Sequence, residues 1–266
     1  MKYDSHFSRH ELFVASATIA AHATSSTSGF RQRDVRFLVE LFTNWMEISL
    51  GTHSITIQNT QMARYLTWLV DEGYARKISR KRPPTYRLTR VGLLELITRL
   101  VEREYSSEKD NFFFLYYFIK NYRPRIEDLV KAEKKQFPHS LRIELEALLN
   151  SDTLLDKAIS DSKRELEKLE LRIHDAVATT KLVQRLSREG EKFSAIVEQV
   201  EELYPYDLNS QKPLTELIAN IPPGLQQWEL VAGNIKRVED VWEPTKMVLR
   251  AYIKALEKLK ADNPSA

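Results

Sequence analysis

Residues 152–188 form the longest uninterrupted helical pattern in the chain, with no Gly or Pro anywhere inside. Gly and Pro are the residues least favourable in a helix interior, so this stretch is expected to fold as one long helix. The full chain has only 7 Gly in 266 residues, and its hydrophobic fraction of 42% is sufficient for a sizeable core. We therefore predict a mainly α-helical, globular protein.

The long stretch also carries a seven-residue repeat. The residues that fall mostly on the a and d positions of one heptad frame are Ile159, Leu166, Leu169, Ile173, Ala176, Thr180 and Val183, with Ser162 between the first two. A repeat of about three to four heptads with Glu and Lys flanks is typical of a coiled coil. The pattern leaves open a coiled coil between two copies, an antiparallel one within the chain, and a helix packed inside its own subunit.

A short β-hairpin is predicted earlier in the chain. Residues 74–80 and 85–88 have strand-like alternation, and Pro83 and Pro84 make a turn between them. Within 74–90 there are seven basic residues and no acidic one. A block of one charge sign favours a polyanionic partner, although a solvated basic hairpin is the simpler alternative.

The helix predicted for 59–72 precedes this hairpin. Met62, Tyr65, Leu66 and Leu69 stand at helical spacing and are expected to pack inward. Polar residues then occupy the outer face and the N-terminal end. Because Asn, Gln and Arg can hydrogen-bond to base edges and cations bind phosphates, we predict a DNA-binding site. Its members are Gln58, Asn59, Thr60, Gln61 and Arg64 on the helix, and Arg76, Lys77, Arg80, Lys81, Arg82 and Arg87 on the hairpin.

The run QNTQMARYLTWLVDEGYARKI resembles the recognition helix and first wing strand of winged-helix regulators of the MarR and PadR types. The run SRKRPPTYRLTRVGLLEL is closer to the PadR pattern of Tyr-x-Leu-Thr-x-x-Gly, here Tyr86, Leu88, Thr89 and Gly92. Thr89 is expected to cap the following helix. The resemblance covers about 58–100. It implies an N-terminal winged helix-turn-helix with a small β-hairpin wing, and a homodimer joined through C-terminal helices.

The supporting helices depart from the family pattern. The segment LGTHSITIQ before the recognition helix is longer than the usual turn. Either 31–50 is the first helix and the middle helix is reduced, or 11–23 is first and 31–50 is an elongated second helix; we favour the second reading. The expected organisation is a winged-helix DNA-binding domain over 1–105 and a helical dimerisation and regulatory domain over 106–266.

Several smaller predictions concern this second region. Pro124 and Pro138 are expected to bound a helix of about 126–136, and shorter helices are expected near 191–203, 213–220, 225–235 and 244–260. The aromatic run from Phe112 to Phe118 is interpreted as a core segment or dimer interface, with an effector pocket as the alternative.

The sequence contains no pattern typical of an enzyme active site. Cysteine is absent, and no phosphate-binding glycine motif or nucleophile elbow occurs. His6 and His10 have a helical metal-ligand spacing, but no third ligand lies near them, so we predict no metal, no catalytic residue and no cofactor. No stretch approaches a membrane span and no targeting segment is evident, so we expect a cytoplasmic, nucleoid-associated protein.

These observations predict a sequence-specific transcriptional regulator, a repressor by preference, that binds double-stranded DNA as a homodimer. A small-molecule or protein effector is a further expected partner class, and a membrane is not. The alternative is a structural or adaptor subunit of a DNA-processing or partitioning assembly, which would use the winged helix for nonspecific DNA or protein contacts.

Overall fold

The computed structural model describes residues 5–25, 28–50, 56–79, 83–102, 109–203 and 235–263. Its first helices are α1 (Ser5–Ser25), α2 (Gln32–Leu50) and α3 (Asn59–Asp71), followed by strands β1 (Ala75–Ser79) and β2 (Thr85–Leu88). The later helices are α4 (Arg90–Glu102), α5 (Lys109–Ala132), α6 (His139–Leu148), α7 (Ser151–Arg188) and α8 (Phe193–Leu203). A π-helical turn (Val238–Trp242) leads into α9 (Glu243–Asp262). The described residues are thus mainly helical with one small antiparallel hairpin, as predicted for the fold class.

The chain divides into two compact units, Met1–Leu155 and Asp156–Ala266. In the first unit α1 lies at the centre, where every residue from Glu11 to Ala21 is buried. A helix that is buried on all sides needs apolar or small residues all round, which the run LFVASATIAA supplies. Helices α2, α4 and α5 pack against α1.

The first unit extends beyond the expected domain boundary at 105/106, because α5 belongs to its core. The Phe114 ring contacts the Phe13 ring of α1 at 5.0 Å and the Phe42 ring of α2 at 5.4 Å between centroids. Phe112 and Tyr116 are fully buried as well. The aromatic run from Phe112 to Phe118 is therefore a core segment, which agrees with the interpretation favoured from the sequence.

The break predicted at Pro124 is wrong. Pro124 lies inside α5, which continues from Lys109 to Ala132. Pro removes one backbone donor and commonly kinks a helix. Here it is solvent-exposed, whereas Ile126 and Leu129 beyond it are buried, so packing on both sides holds the helix through the proline.

The second unit contains most of α7, from Asp156 onward, together with α8 and α9. Three ion pairs join α7 to α9: Asp156 with Lys260, Lys163 with Glu257, and Glu170 with Arg250. As the number rises on α7 it falls on α9, so the two helices run antiparallel. The α7 residues Val183 and Leu186 form a small core with Ile196 and Val200 of α8. This arrangement supports the reading in which the α7 repeat packs inside its own chain.

The predicted helices near 213–220 and 225–235 lie almost entirely outside the described residues. Those near 191–203 and 244–260 correspond to α8 and α9.

Candidate nucleic-acid interface

The residues of α3 that face inward are those predicted from the helical spacing of its apolar positions. Met62, Tyr65, Leu66 and Leu69 are all buried. Gln58, Asn59, Thr60 and Arg64 are exposed, and Gln61 is half-buried. The N-terminal turn of α3 is therefore a polar surface carried on an apolar base.

Two of these polar residues take part in the fold itself. The Gln61 Oε1 atom accepts a hydrogen bond of 3.0 Å from the Gln58 backbone N–H, which is the capping arrangement of a helix N-terminus. The Asn59 carbonyl accepts a hydrogen bond of 2.8 Å from Gln32 Nε2, and Arg36 donates to the Asn59 Oδ1 atom. Gln61 and Asn59 thus position α3, while Thr60 and Arg64 project from it.

The same contacts reveal a group that the sequence reading missed. Arg36 and Gln32 belong to the first two turns of α2, so the N-terminus of α2 lies beside the N-terminus of α3. Arg33 lies between them in the sequence, with a side chain that is 77% exposed. The signal was present in the sequence as RQRDVR, three arginines at the start of a helix, but nothing local indicated that this segment adjoins α3.

The hairpin strands pair antiparallel, with Ala75 opposite Leu88, Arg76 opposite Arg87 and Lys77 opposite Tyr86. Arg76 and Lys77 are exposed. The predicted site residues Arg80, Lys81 and Arg82 fall in the segment joining β1 to β2 and lie outside the described residues.

Arg87 is placed differently from the prediction that it contacts DNA. It forms an ion pair with Glu133, just after α5, and its side chain is 20% exposed. Arg76, across the ladder from Arg87, donates a hydrogen bond of 3.3 Å to Gln136 of the same segment. One face of the hairpin is therefore held against the chain's own residues 133–136, and Arg87 acts as an internal partner of Glu133.

Residues 86–92 form a connected junction. Tyr86 exchanges two backbone hydrogen bonds with Phe30, which adds one bridge to the edge of the hairpin. The Thr89 Oγ1 atom accepts a hydrogen bond of 3.0 Å from the Gly92 N–H, which confirms the predicted cap of α4. A Cβ atom on Gly92 would lie 1.9 Å from the Tyr74 carbonyl oxygen, so only glycine lets α4 approach β1 this closely.

Trp68 belongs to a structural cluster. Its ring lies 5.6 Å from the Tyr74 ring, and the Arg99 guanidinium lies 5.4 Å above it. Arg99 also contacts Glu11, a carboxylate of α1 that is only 2% exposed. The cluster joins α3 and α4 to the central helix, so α3 rests on a packed support.

His22 lies beneath the hairpin, at the end of α1. It is fully buried, and its ring meets Phe30 edge-on at 6.3 Å. Burial, with a smaller contribution from the Arg87 charge, lowers the pKa of His22 from 6.5 to about 4. The imidazole is therefore neutral at physiological pH.

Comparison with models of known families, with curated proteins and with solved structures found no match to this chain. Among the described helices, none has the length and apolarity required to cross a lipid bilayer.

Proposed function

We propose that this chain is a sequence-specific transcriptional regulator of the winged-helix class, with α3 as the helix that enters the major groove of DNA. The observation that carries the proposal is the exposed polar N-terminal turn of α3, which is buttressed on its inner face and flanked by arginines of α2. Gln58, Thr60 and Arg64 present donors and acceptors suited to base edges.

The order of the elements supports this class. The chain runs α1, the bridge at Phe30, α2, α3, then β1 and β2, which is a helical core followed by a two-stranded wing. Under this proposal α1 is the first helix and α2 an elongated second helix. The α2 N-terminus would hold the phosphate backbone beside α3, since helix N-termini and arginines both favour anions.

The wing has a narrower role than the sequence suggested. Lys77 is exposed and available for the backbone, whereas Arg76, although exposed, donates a hydrogen bond to Gln136. Arg80, Lys81 and Arg82 follow them in the sequence. Arg87 is withdrawn from the proposed contact set because Glu133 neutralises it. The wing is expected to add salt-dependent affinity without sequence preference.

The experiment is a binding titration of the full chain on fragments selected from random duplex DNA. The Arg64→Ala change should cost about 1–3 kcal/mol on the selected site and little on unrelated DNA, because it removes base contacts. Changing Arg80, Lys81 and Arg82 together to Ala should weaken binding to all DNA alike. Each lost phosphate contact should flatten the slope of log affinity against log salt by about 1.

A matched control is the pair Lys157→Ala and Lys181→Ala, which removes exposed charges from α7. This pair should change neither preference nor slope. If the wing variant binds DNA with unchanged affinity and unchanged salt slope, the proposed mechanism is refuted.

The long second unit favours one other candidate, the structural or adaptor subunit of a DNA-processing or partitioning assembly. Helix α7 alone spans 38 residues. Selection that yields no preferred sequence, while the wing variant still loses affinity and salt dependence, would favour this candidate over a regulator.

A further inference from the structure

The connection between α5 and α6 contains a tight turn, residues 133–137, which we call the basic turn. The Glu133 carbonyl accepts a hydrogen bond of 2.8 Å from the Gln136 N–H and one of 3.1 Å from the Phe137 N–H. The Phe137 side chain is fully buried in the first unit. The basic turn is therefore closed by its own hydrogen bonds and anchored by one apolar side chain.

Both ends of the basic turn contact the hairpin. Glu133 forms the ion pair with Arg87, and Gln136 accepts the 3.3 Å hydrogen bond from Arg76. Arg76 and Arg87 lie opposite each other in the ladder, so the turn lies against one face of the hairpin. The two residues between these contacts in the chain are Lys134 and Lys135. The fold thus brings two lysines beside the wing.

The charges of these two lysines are not paired. Lys134 and Lys135 are both exposed, and neither forms a hydrogen bond or an ion pair with a residue that the structure describes. The one carboxylate of the basic turn, Glu133, is paired with Arg87. Lys77 on β1 is also exposed. Cations that a fold brings together repel one another, and a polyanion bound along them offsets that repulsion.

We propose that the basic turn is a second phosphate-binding element, in which Lys134 and Lys135 contact the backbone of duplex DNA beside the wing. The inference rests on the proposed function, because it requires that α3 and the hairpin bind a duplex. Lysine binds phosphate as a point charge, so these contacts should add affinity without sequence preference. Sequence patterns did not identify the pair, because nothing local indicates that the segment after α5 adjoins the hairpin.

The test is the salt dependence of DNA binding by the full chain. Changing Lys134 and Lys135 together to Ala should weaken binding to selected and unrelated duplexes alike, about tenfold or more at about 0.1 M salt. The slope of log affinity against log salt should become flatter by about 2. Lys134→Arg combined with Lys135→Arg keeps both charges and should bind as the unsubstituted chain does. The control pair Lys157→Ala and Lys181→Ala removes exposed charges from α7 and should change neither quantity.

Neutral phosphates locate the contact on the DNA. Methylphosphonate groups are placed one at a time along the selected duplex, so that each removes one backbone charge. At the contacted positions this change should weaken binding by the unsubstituted chain but not by the variant with Ala at 134 and 135, because that variant has already lost the contact. These positions should lie next to those that become insensitive when Arg80, Lys81 and Arg82 are changed to Ala.

Two results would overturn the inference. One is an unchanged affinity and salt slope after Lys134 and Lys135 are changed to Ala, which would show that both lysines are only solvated. The other is an equal loss in the α7 control pair, since the effect would then follow net charge alone. Every variant should keep the helical circular dichroism of the unsubstituted chain, because the changed side chains are exposed.

The inference and the proposed function fail separately. If Arg64→Ala and the wing variant lose affinity as expected while the variant at 134 and 135 does not, only the role of the basic turn is wrong. If the variant at 134 and 135 loses affinity for every duplex and selection yields no preferred sequence, the basic turn stands and the regulator is rejected in favour of the adaptor. A chain that binds no duplex removes both.

Discussion

His22 shows how one buried side chain ties the stability of the first unit to pH. It is fully buried among apolar neighbours, and within the described residues neither ring nitrogen has a hydrogen-bond partner. A charged imidazole there would lack water and would face the Arg87 guanidinium. The folded state therefore binds a proton on His22 less readily than the unfolded state does.

This difference predicts acid sensitivity. Because the pKa of His22 falls from 6.5 to about 4 on folding, stability is full above pH 6.5 and decreases as the pH falls towards 4. At pH 5 the loss from this group should be about 2 kcal/mol. Urea unfolding at pH 7 and pH 5 measures it. In His22→Leu the part of the acid loss due to this residue should disappear, and an unaltered pH dependence in that variant would contradict the assignment.

Two glycines separate the effect of packing from that of backbone conformation. Gly92 has no room for a Cβ atom, whereas nothing lies within 4 Å of the Cβ position on Gly73, whose φ is +74°. Gly92→Ala must push α4 away from β1 and is expected to cost about 3 kcal/mol or more. Gly73→Ala should cost only about 1–2 kcal/mol, the strain of a left-handed backbone. Denaturation midpoints compare the two, and equal losses would contradict the close packing of α4 on β1.

At the scale of elements, the contacts between helices differ in kind. Helices α7 and α9 are joined by exposed ion pairs along their edges, and α9 buries Tyr252, Ile253, Leu256 and Leu259. Exposed ion pairs contribute little to the free energy of unfolding, since water and salt screen both charges. The apolar face of α9 is therefore expected to supply most of its binding energy.

A pair of substitutions in α9 tests this. Arg250→Ala removes the partner of Glu170 and should change the free energy of unfolding by less than about 1 kcal/mol. Leu256→Ala leaves a cavity at a fully buried position and should lower the free energy of unfolding by about 2–5 kcal/mol. Urea denaturation followed by circular dichroism measures both. A larger loss for Arg250→Ala than for Leu256→Ala would mean that the ion pairs dominate.

At the scale of the whole molecule, the division after Leu155 predicts that the two units lose structure separately. Larger chains with more than one compact unit commonly depart from two-state unfolding. Gly92→Ala should therefore lower hydrogen-exchange protection in α1 and α4 and leave α9 unchanged. Leu256→Ala should do the reverse. Equal loss of protection throughout after either change would show that the chain unfolds as one cooperative body.

Local patterns predicted much of the secondary structure. The inner face of α3, both strands of the hairpin, the cap at Thr89 and the long helix α7 all follow from residue spacing, because helix and strand periods place side chains on defined faces. The polar N-terminal turn of α3 was predicted in the same way. The role of these residues in DNA binding stays a prediction.

Other features depended on contacts between residues far apart in the chain. The apolar positions of α2 are spaced for a helix, but only packing against α1 and α5 decides that Val35 and Met46 face inward while Leu41 and Ile48 remain outside. The partner of Arg87 is 46 positions away at Glu133, and Asn59 is held by α2. Helical periodicity acts over one or two turns, whereas ion pairs, exposed faces and unit boundaries are set by which surfaces exclude water together. The sequence gives the positions of the arginines. The packing of the first unit determines which of them face solvent and which form ion pairs within the chain.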